Sequence, residues 1–278
     1  MRMMCTVGWL ALLLVAPGRL GAEDTKDVTA ADKNDPVTGV PAGHSAHGEV
    51  FNEGPRQKAY LMGGTGTVNF PVTTKKPLAQ KFVNQGVGQV YGFWYFEAER
   101  SFRQAAAIDP DCAIAYWGMA RANLGNEKRA KGFIAEAVKR KDGLSDREWK
   151  YIDALDKYLK AGSAKNKDRS RKYAKAIERI SYKYPDDIEA KAMLGLQLWL
   201  NKRHVPIQSH LAVNALLEQV HAVEPMHPCH HFRIHLWDYE KPETALNSAA
   251  RCGQASPSIA HMWHMPGHIF SRLKRYED

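Results

Sequence analysis

The sequence of 278 residues lacks the motifs by which common catalytic sites are recognised. It contains no His-Glu-x-x-His motif of a zinc protease, no Gly-x-Ser-x-Gly turn of a serine hydrolase and no phosphate loop ending in Gly-Lys-Ser/Thr. It has only four cysteines and one long apolar run, residues 7–16, and no second segment could cross a bilayer. These absences favour a binding module over an enzyme.

The single apolar run lies in a segment typical of a secretory signal peptide. Arg2 precedes the run, and the small residues Gly21 and Ala22 follow it before the first acidic residue, Glu23. We therefore expect residues 1–22 to be a signal peptide and the mature chain to be exported to the periplasm or the extracellular space. Removing Arg2 and Arg19 would lower the formal charge from +9 to +7. The remaining basic charge is interpreted as solvated helix faces, and nucleic acid is not an expected partner of an exported chain.

Three segments of different composition follow the predicted signal. Residues 23–50 are polar, without apolar periodicity, and are predicted to be a disordered linker. Residues 51–77 contain aromatic residues, glycines and a β-branched stretch, and are predicted to form an extended segment that packs on the first repeat. Residues 78–278 show helical periodicity throughout and are predicted to be an all-α array of about ten helices.

A repeated spacing of small, aromatic and proline residues organises the helical part. Counted from Ala98, one unit places an aromatic residue at −16 and +4, a small residue at −12 and +7, and a proline at +12. These residues are Phe82, Phe102, Gly86, Ala105 and Pro110. Small residues let two antiparallel helices approach closely, aromatic residues fill the space between them, and the proline ends the second helix. The spacing indicates a helix-turn-helix unit of about 34 residues.

With this spacing, residues 78–278 resemble the tetratricopeptide repeat (TPR) family. More narrowly, the stretches DPDCAIAYWGMA, EPMHPCHHFRIHLW and HMWHMPGHIFSRLKRYED resemble exported bacterial TPR proteins of unassigned role, some of which carry a C-terminal thioredoxin-fold domain. The resemblance implies a right-handed α-solenoid whose first helices line a concave groove for a peptide or a partner protein. Residues 142–184 depart from the repeat length, and Pro266 lies inside a predicted helix. The last repeat stops at Asp278, before its second helix, so we expect the chain to be part of a longer protein.

Seven of the 12 histidines lie within residues 227–268. His227 and His261 are 34 residues apart, as are His230 and His264, which is one repeat period. The repeat numbering therefore predicts that these four histidines face the groove, one pair above the other. His268 is also predicted to face the groove. His231, His235 and His268 are expected at the margin of the four-histidine group.

The histidine pattern leaves two functions open. In the first, the rings line a groove that holds a peptide or partner protein, and the protein is an exported scaffold. In the second, His227, His230, His261 and His264 bind one metal ion, and the protein is a metal-binding protein or a metal-dependent enzyme. Neutral imidazoles suit both zinc and copper, and the sequence does not choose between them. No catalytic residue is assigned.

The cysteines that remain after signal removal allow at most one disulfide. The repeat numbering places Cys229 and Cys252 on the two helices of one unit, at packing positions. In an oxidising compartment they could be joined, and otherwise they would be buried thiols that pack as small apolar groups. The sequence leaves both alternatives open.

Overall fold

A computed structural model describes residues 58–277, and within this range the regular secondary structure is helical, which confirms the all-α part of the predicted fold class. Twelve α-helices and three short 3₁₀ turns are present, and no strand occurs in these residues. The helices are α1 Pro77–Tyr91, α2 Tyr95–Ile108, α3 Ala113–Ala122, α4 Glu127–Lys139, α5 Asp146–Ala161, α6 Asn166–Lys183, α7 Ile188–Leu200, α8 His210–Val223, α9 His230–Trp237, α10 Leu246–Ala255, α11 Ala260–His264 and α12 Pro266–Arg272.

Several helices begin at side chains that cap free backbone N–H groups. Ser145 and Glu148 form a reciprocal capping box at the start of α5. The side chains of Asn126, Asp187 and Ser209 accept an N–H at the starts of α4, α7 and α8. These caps fix the helix starts within one or two residues of the positions that the sequence indicates.

Helices that follow each other along the chain pack against each other, and Phe102 shows why this requires small residues. Phe102 is fully buried on α2, between α1 and α3. A Cβ atom at Gly86 of α1 would lie 2.8 Å from the Phe102 ring, and one at Gly118 of α3 would lie 2.3 Å from it. Both distances are too short for any side chain, so the two glycines allow one aromatic ring to join three helices.

The extended segment 58–76 lies against the odd-numbered helices α1, α3, α5 and α7. Its Phe70 is fully buried and stacks on Trp117 of α3, with ring centroids 5.4 Å apart. The backbone N–H of Phe70 donates to Asn84 of α1, and that of Asn69 donates to Glu189 of α7. These odd-numbered helices are the ones expected to line the groove for a peptide. The chain's own segment therefore covers much of that surface.

The end of the array differs from a regular helix pair. Pro266 divides the expected helix into α11 and α12, because proline cannot supply the N–H that would continue α11. Trp263 of α11 packs on α10, where a Cβ atom at Gly253 would lie 2.3 Å from the indole ring.

Cys112, Cys229 and Cys252 are buried free thiols, so the alternative of a Cys229–Cys252 disulfide is not formed. No helix within residues 58–277 has the length and apolar character needed to cross a membrane. The predicted signal peptide, the predicted linker and the first part of the predicted extended segment lie outside the described residues.

Candidate metal centre

Three histidines from two helices meet beside the turn between α1 and α2. His231 and His235 lie one helical turn apart on α9, so their side chains share a face of that helix. His261 lies on α11 and completes the group. One ring nitrogen of each histidine lies within 4.8 Å of those of the other two. We call this group the histidine cluster.

His231 is fully buried, and a backbone carbonyl fixes its tautomer. Its Nδ1 lies 2.6 Å from the carbonyl oxygen of Tyr91, which can only accept, so Nδ1 carries the proton. The neutral ring therefore has its lone pair on Nε2, which lies 3.1 Å from Nε2 of His261. A carbonyl that orients the far nitrogen of an imidazole is the usual support for a metal-binding histidine.

His235 has an unused ring nitrogen inside an aromatic wall. Its Nε2 is buried and has no hydrogen-bond partner among the described residues. Its ring stacks on Trp199 at the end of α7, with centroids 4.3 Å apart. Phe93, in the turn after α1, packs on His231, His235 and His261 at centroid distances of 4.3, 5.7 and 5.7 Å. Phe93 has a φ of 58°, which is rare for a bulky residue, and this backbone places its ring over the cluster.

The surroundings keep all three rings neutral at physiological pH. Burial lowers the pKa of His231 well below its ordinary value, and the neighbouring His235 lowers it further. Burial lowers the pKa of His235 to about 3, with His261 and His268 acting in the same direction. Burial and the adjacent His264 also lower the pKa of His261. Neutral imidazole is the form that binds a metal ion.

His264 and His268 extend the cluster toward solvent. Their Nε2 atoms lie 3.0 Å apart, and His264 is exposed. Nδ1 of His268 lies 3.2 Å from Oδ2 of the buried Asp238, whose Oδ1 accepts from Arg272. The ring centroids of His264 and His261 are 5.8 Å apart, so this pair forms the rim of the cluster.

The structure does not bring the four histidines of the predicted metal site together. His261 belongs to the cluster and His264 to its rim, but His227 and His230 make other contacts. His230 places Nε2 2.8 Å from the carbonyl of Pro225 and Nδ1 3.0 Å from the hydroxyl of Ser248. His227 and His230 are also buried, so neither ring is exposed in an open groove. His231 and His235, expected at the margin, supply two of the three converging nitrogens.

His227 belongs to a separate buried network centred on Glu189. Glu189 of α7 accepts from the N–H of Asn69 at 2.9 Å and from the hydroxyl of Tyr91 at 2.8 Å, and it lies 3.4 Å from Nε2 of His227. Nδ1 of His227 accepts the backbone N–H of Cys229 at 3.1 Å. We call these residues the Glu189 network. Its polar groups have partners, whereas in the histidine cluster Nε2 of His235 has none among the described residues.

Sequence reasoning missed the residues around the cluster. The pairing of His231 and His235 at i and i+4 could have identified the α9 half, because this spacing alone places two rings on one helix face. No local signal identifies Tyr91, Phe93 or Trp199, which reach the cluster from α1 and α7 through tertiary packing. Comparison of the chain with protein-family models, with curated proteins and with solved structures gives no match.

Proposed function

We propose that this protein binds a transition-metal ion through His231, His235 and His261. The observation that carries the proposal is the convergence of three neutral imidazoles within 4.8 Å, one of which has a buried ring nitrogen with no partner. A buried polar atom without a partner is costly in a folded protein, and a bound ion would remove that cost. The ring nitrogens of His227 and His230 do not offer a comparable free donor atom, since they already have partners.

The donor set favours zinc or copper. All three donors are imidazole nitrogens, whereas magnesium and calcium prefer oxygen ligands. The 3.1 Å separation of the His231 and His261 nitrogens is close to that of two ligands on one ion, since zinc binds imidazole at about 2.0–2.1 Å. The third nitrogen lies within 4.8 Å of the other two, so it has to move closer for all three to bind one ion. If His261 binds the ion through Nε2, the single proton of its neutral ring lies on Nδ1.

The helical framework gives this site its rigidity. We propose that the helix pairs form a TPR-like right-handed α-solenoid, as the packing of Phe102 against Gly86 and Gly118 supports. Export to the periplasm or the extracellular space is part of the same proposal and depends on the signal-like residues 1–22. The alternative function, a scaffold for a peptide or partner protein, has weaker support because segment 58–76 already lies across the odd-numbered helices.

Isothermal titration calorimetry with zinc and with copper at pH 7.5 tests the proposal. We expect one saturable site per chain, and a rise in the midpoint of thermal unfolding because the ion binds the folded state. His261→Ala should weaken binding by about 100-fold, or about 2.7 kcal/mol. His210→Ala is the matched control, since His210 lies on α8 and belongs to neither the cluster nor its rim. A titration without a saturable site, or equal affinity in the His261 variant, would refute the metal function.

A further inference from the structure

A polar cleft at the ends of α3 and α7 includes Trp199 in its lining and none of the three cluster histidines. The cleft has a volume of 1040 Å³ and is lined by residues of α2, α3, α4, α5, α6 and α7 and by the loops that follow α3 and α7. Four of its lining residues are cationic and one is acidic. They are Arg121, Arg169, Lys202, Arg203 and Glu127. The cleft is therefore a region of positive charge on a chain whose formal charge is +9.

Arg121 is the central feature of the cleft. Its side chain is 2% exposed, yet its Nε and Nη2 atoms have no hydrogen-bond partner among the described residues. Arg169, on the opposite wall, differs because its Nη1 pairs with Glu127 at 2.5 Å. A buried guanidinium without a carboxylate is unfavourable, since removal from water is not repaid by any ion pair. The two free N–H groups of Arg121 have the geometry that suits a carboxylate.

Other polar atoms in the cleft also lack partners. The indole N–H of Trp199 is a buried donor without an acceptor, and Oε1 of Gln197 is a buried acceptor without a donor. The orientation of Gln197 is set by a chain of bonds: Asn201 donates to the Ser170 carbonyl, and Oδ1 of Asn201 then accepts from Nε2 of Gln197 at 2.7 Å. Oε1 of Gln197 must therefore accept. A ligand that pairs with the unpartnered atoms of Arg121, Trp199 and Gln197 needs an anionic group and a hydrogen-bond donor.

Two helix starts add to the positive potential. Asn126 and Glu127, at the start of α4, and Asn166, at the start of α6, line the same cleft. The N-terminal ends of helices carry partial positive charge and favour anions. This positive potential adds to the argument for an anion site, which rests mainly on Arg121.

We propose that this cleft binds a small organic carboxylate that also carries an N–H or O–H donor. Arg121 and the indole N–H of Trp199 hold the carboxylate, and Oε1 of Gln197 accepts from the donor group. The volume suits a molecule of amino-acid to short-peptide size. The proposal does not depend on the metal function, because none of the three cluster histidines lines the cleft.

Calorimetric titration of the full chain with three matched probes tests the assignment. N-acetylglycine carries both groups, N-acetylglycinamide replaces its carboxylate by a neutral amide, and acetate lacks the N–H donor. We expect N-acetylglycine to bind more tightly than either of the other two, with an affinity that falls as salt is added. No heat with N-acetylglycine up to about 10 mM, or equal binding of the neutral amide, would overturn the proposal.

A pair of variants separates binding from folding. Arg121→Gln should weaken N-acetylglycine binding at least tenfold while leaving the ligand-free protein equally stable or more stable, because it removes an unpaired buried charge. Arg171→Gln makes the same charge change at an exposed position on α6 that does not line the cleft, and it should bind normally. Marked destabilisation by Arg121→Gln, with binding unchanged after refolding, would show that Arg121 serves the fold and would overturn the site. A tripeptide that binds more than tenfold tighter than N-acetylglycine would identify a peptide C-terminus as the source of the carboxylate.

Discussion

The histidine cluster and the Glu189 network both contact Tyr91 and both contain histidine, but they differ in how far their polar atoms are satisfied. In the Glu189 network the carboxylate accepts from Asn69 and Tyr91, and both nitrogens of His227 have partners. In the cluster, Nε2 of His235 has no partner, and Nε2 of His231 contacts Nε2 of His261. The cluster is also less buried, since His235 and His261 are half-buried whereas Glu189, Tyr91 and His227 are all buried. A satisfied network stabilises the fold, and an unsatisfied one is available for a ligand.

The largest expected effect concerns the centre of the satisfied network. Replacing Glu189 by Ala leaves the buried donors of Tyr91 and His227, and the backbone N–H of Asn69, without an acceptor, so the free energy of unfolding should fall by about 3–5 kcal/mol. Urea unfolding followed by circular dichroism measures this loss.

Two further variants allow the loss of stability at Glu189 to be compared with the loss in the histidine cluster. Glu189→Gln keeps one acceptor oxygen and should cost less, so it remains measurable if the Ala variant does not fold. His261→Ala, in the metal-free protein, should cost about 1 kcal/mol or less, since its ring is half-buried and its one nitrogen contact is with His231. Equal losses at Glu189 and His261 would contradict the distinction between the two regions.

The pH dependence of the free energy of unfolding should show that buried histidines are neutral in the folded protein. Burial lowers the pKa of His230 to about 4, and Arg251 and Arg233 act in the same direction, whereas its bond to Pro225 opposes the shift. The unfolded chain, with a histidine pKa near about 6.5, then binds more protons between pH 6.5 and 4. The contribution of His230 to the free energy of unfolding is therefore fully present above about pH 6.5 and is lost as the pH falls toward 4. The loss is about 2 kcal/mol at pH 5.

Urea unfolding of the metal-free protein at pH 7 and pH 5 checks this direction. His221, which stacks on His230 and whose pKa burial lowers to about 3, should add to the same acid loss. His230→Gln retains hydrogen-bonding groups without titrating, so the difference between the two pH values should shrink by about 2 kcal/mol. An unchanged pH dependence in the His230→Gln variant would show that His230 is not held neutral.

The sequence predicts more of the fold than of the site. Periodicity, caps and prolines locate the helices, because these signals act within a few residues: Ser145 caps α5, and Pro266 ends α11. The repeat period also directed attention to residues 227–268, which include the histidine cluster, but the four histidines that it selected do not meet in one group. Neighbours such as His230 and His231 point in directions about 100° apart on a helix, so an error of one residue in the repeat numbering exchanges a histidine outside the cluster for one inside it.

The remaining features of the site depend on contacts between residues far apart in the chain. Tyr91 and His231 are 140 residues apart in the chain, yet the backbone carbonyl of Tyr91 fixes the tautomer of His231. Arg121 shows the same limit, because only the assembled cleft reveals that a basic residue at the end of α3 has buried N–H groups without partners. Residue spacing carries no information about which polar atoms remain unsatisfied after folding.

The smallest expected effect distinguishes the cluster from its rim. His264 is exposed and its nearest nitrogen contact is His268, so we expect it to tune the site electrostatically and not to bind the ion directly. His264→Ala should therefore weaken zinc or copper binding by less than about tenfold, or about 1.4 kcal/mol, against about 100-fold for His261→Ala. Calorimetric titration of the two variants in the same buffer makes the comparison, and unfolding of the metal-free forms should show equal stability. A loss at His264 as large as that at His261 would make His264 a fourth ligand. The ion would then have four imidazoles, and the 34-residue spacing would have identified two true ligands, one of which the described geometry places at the rim.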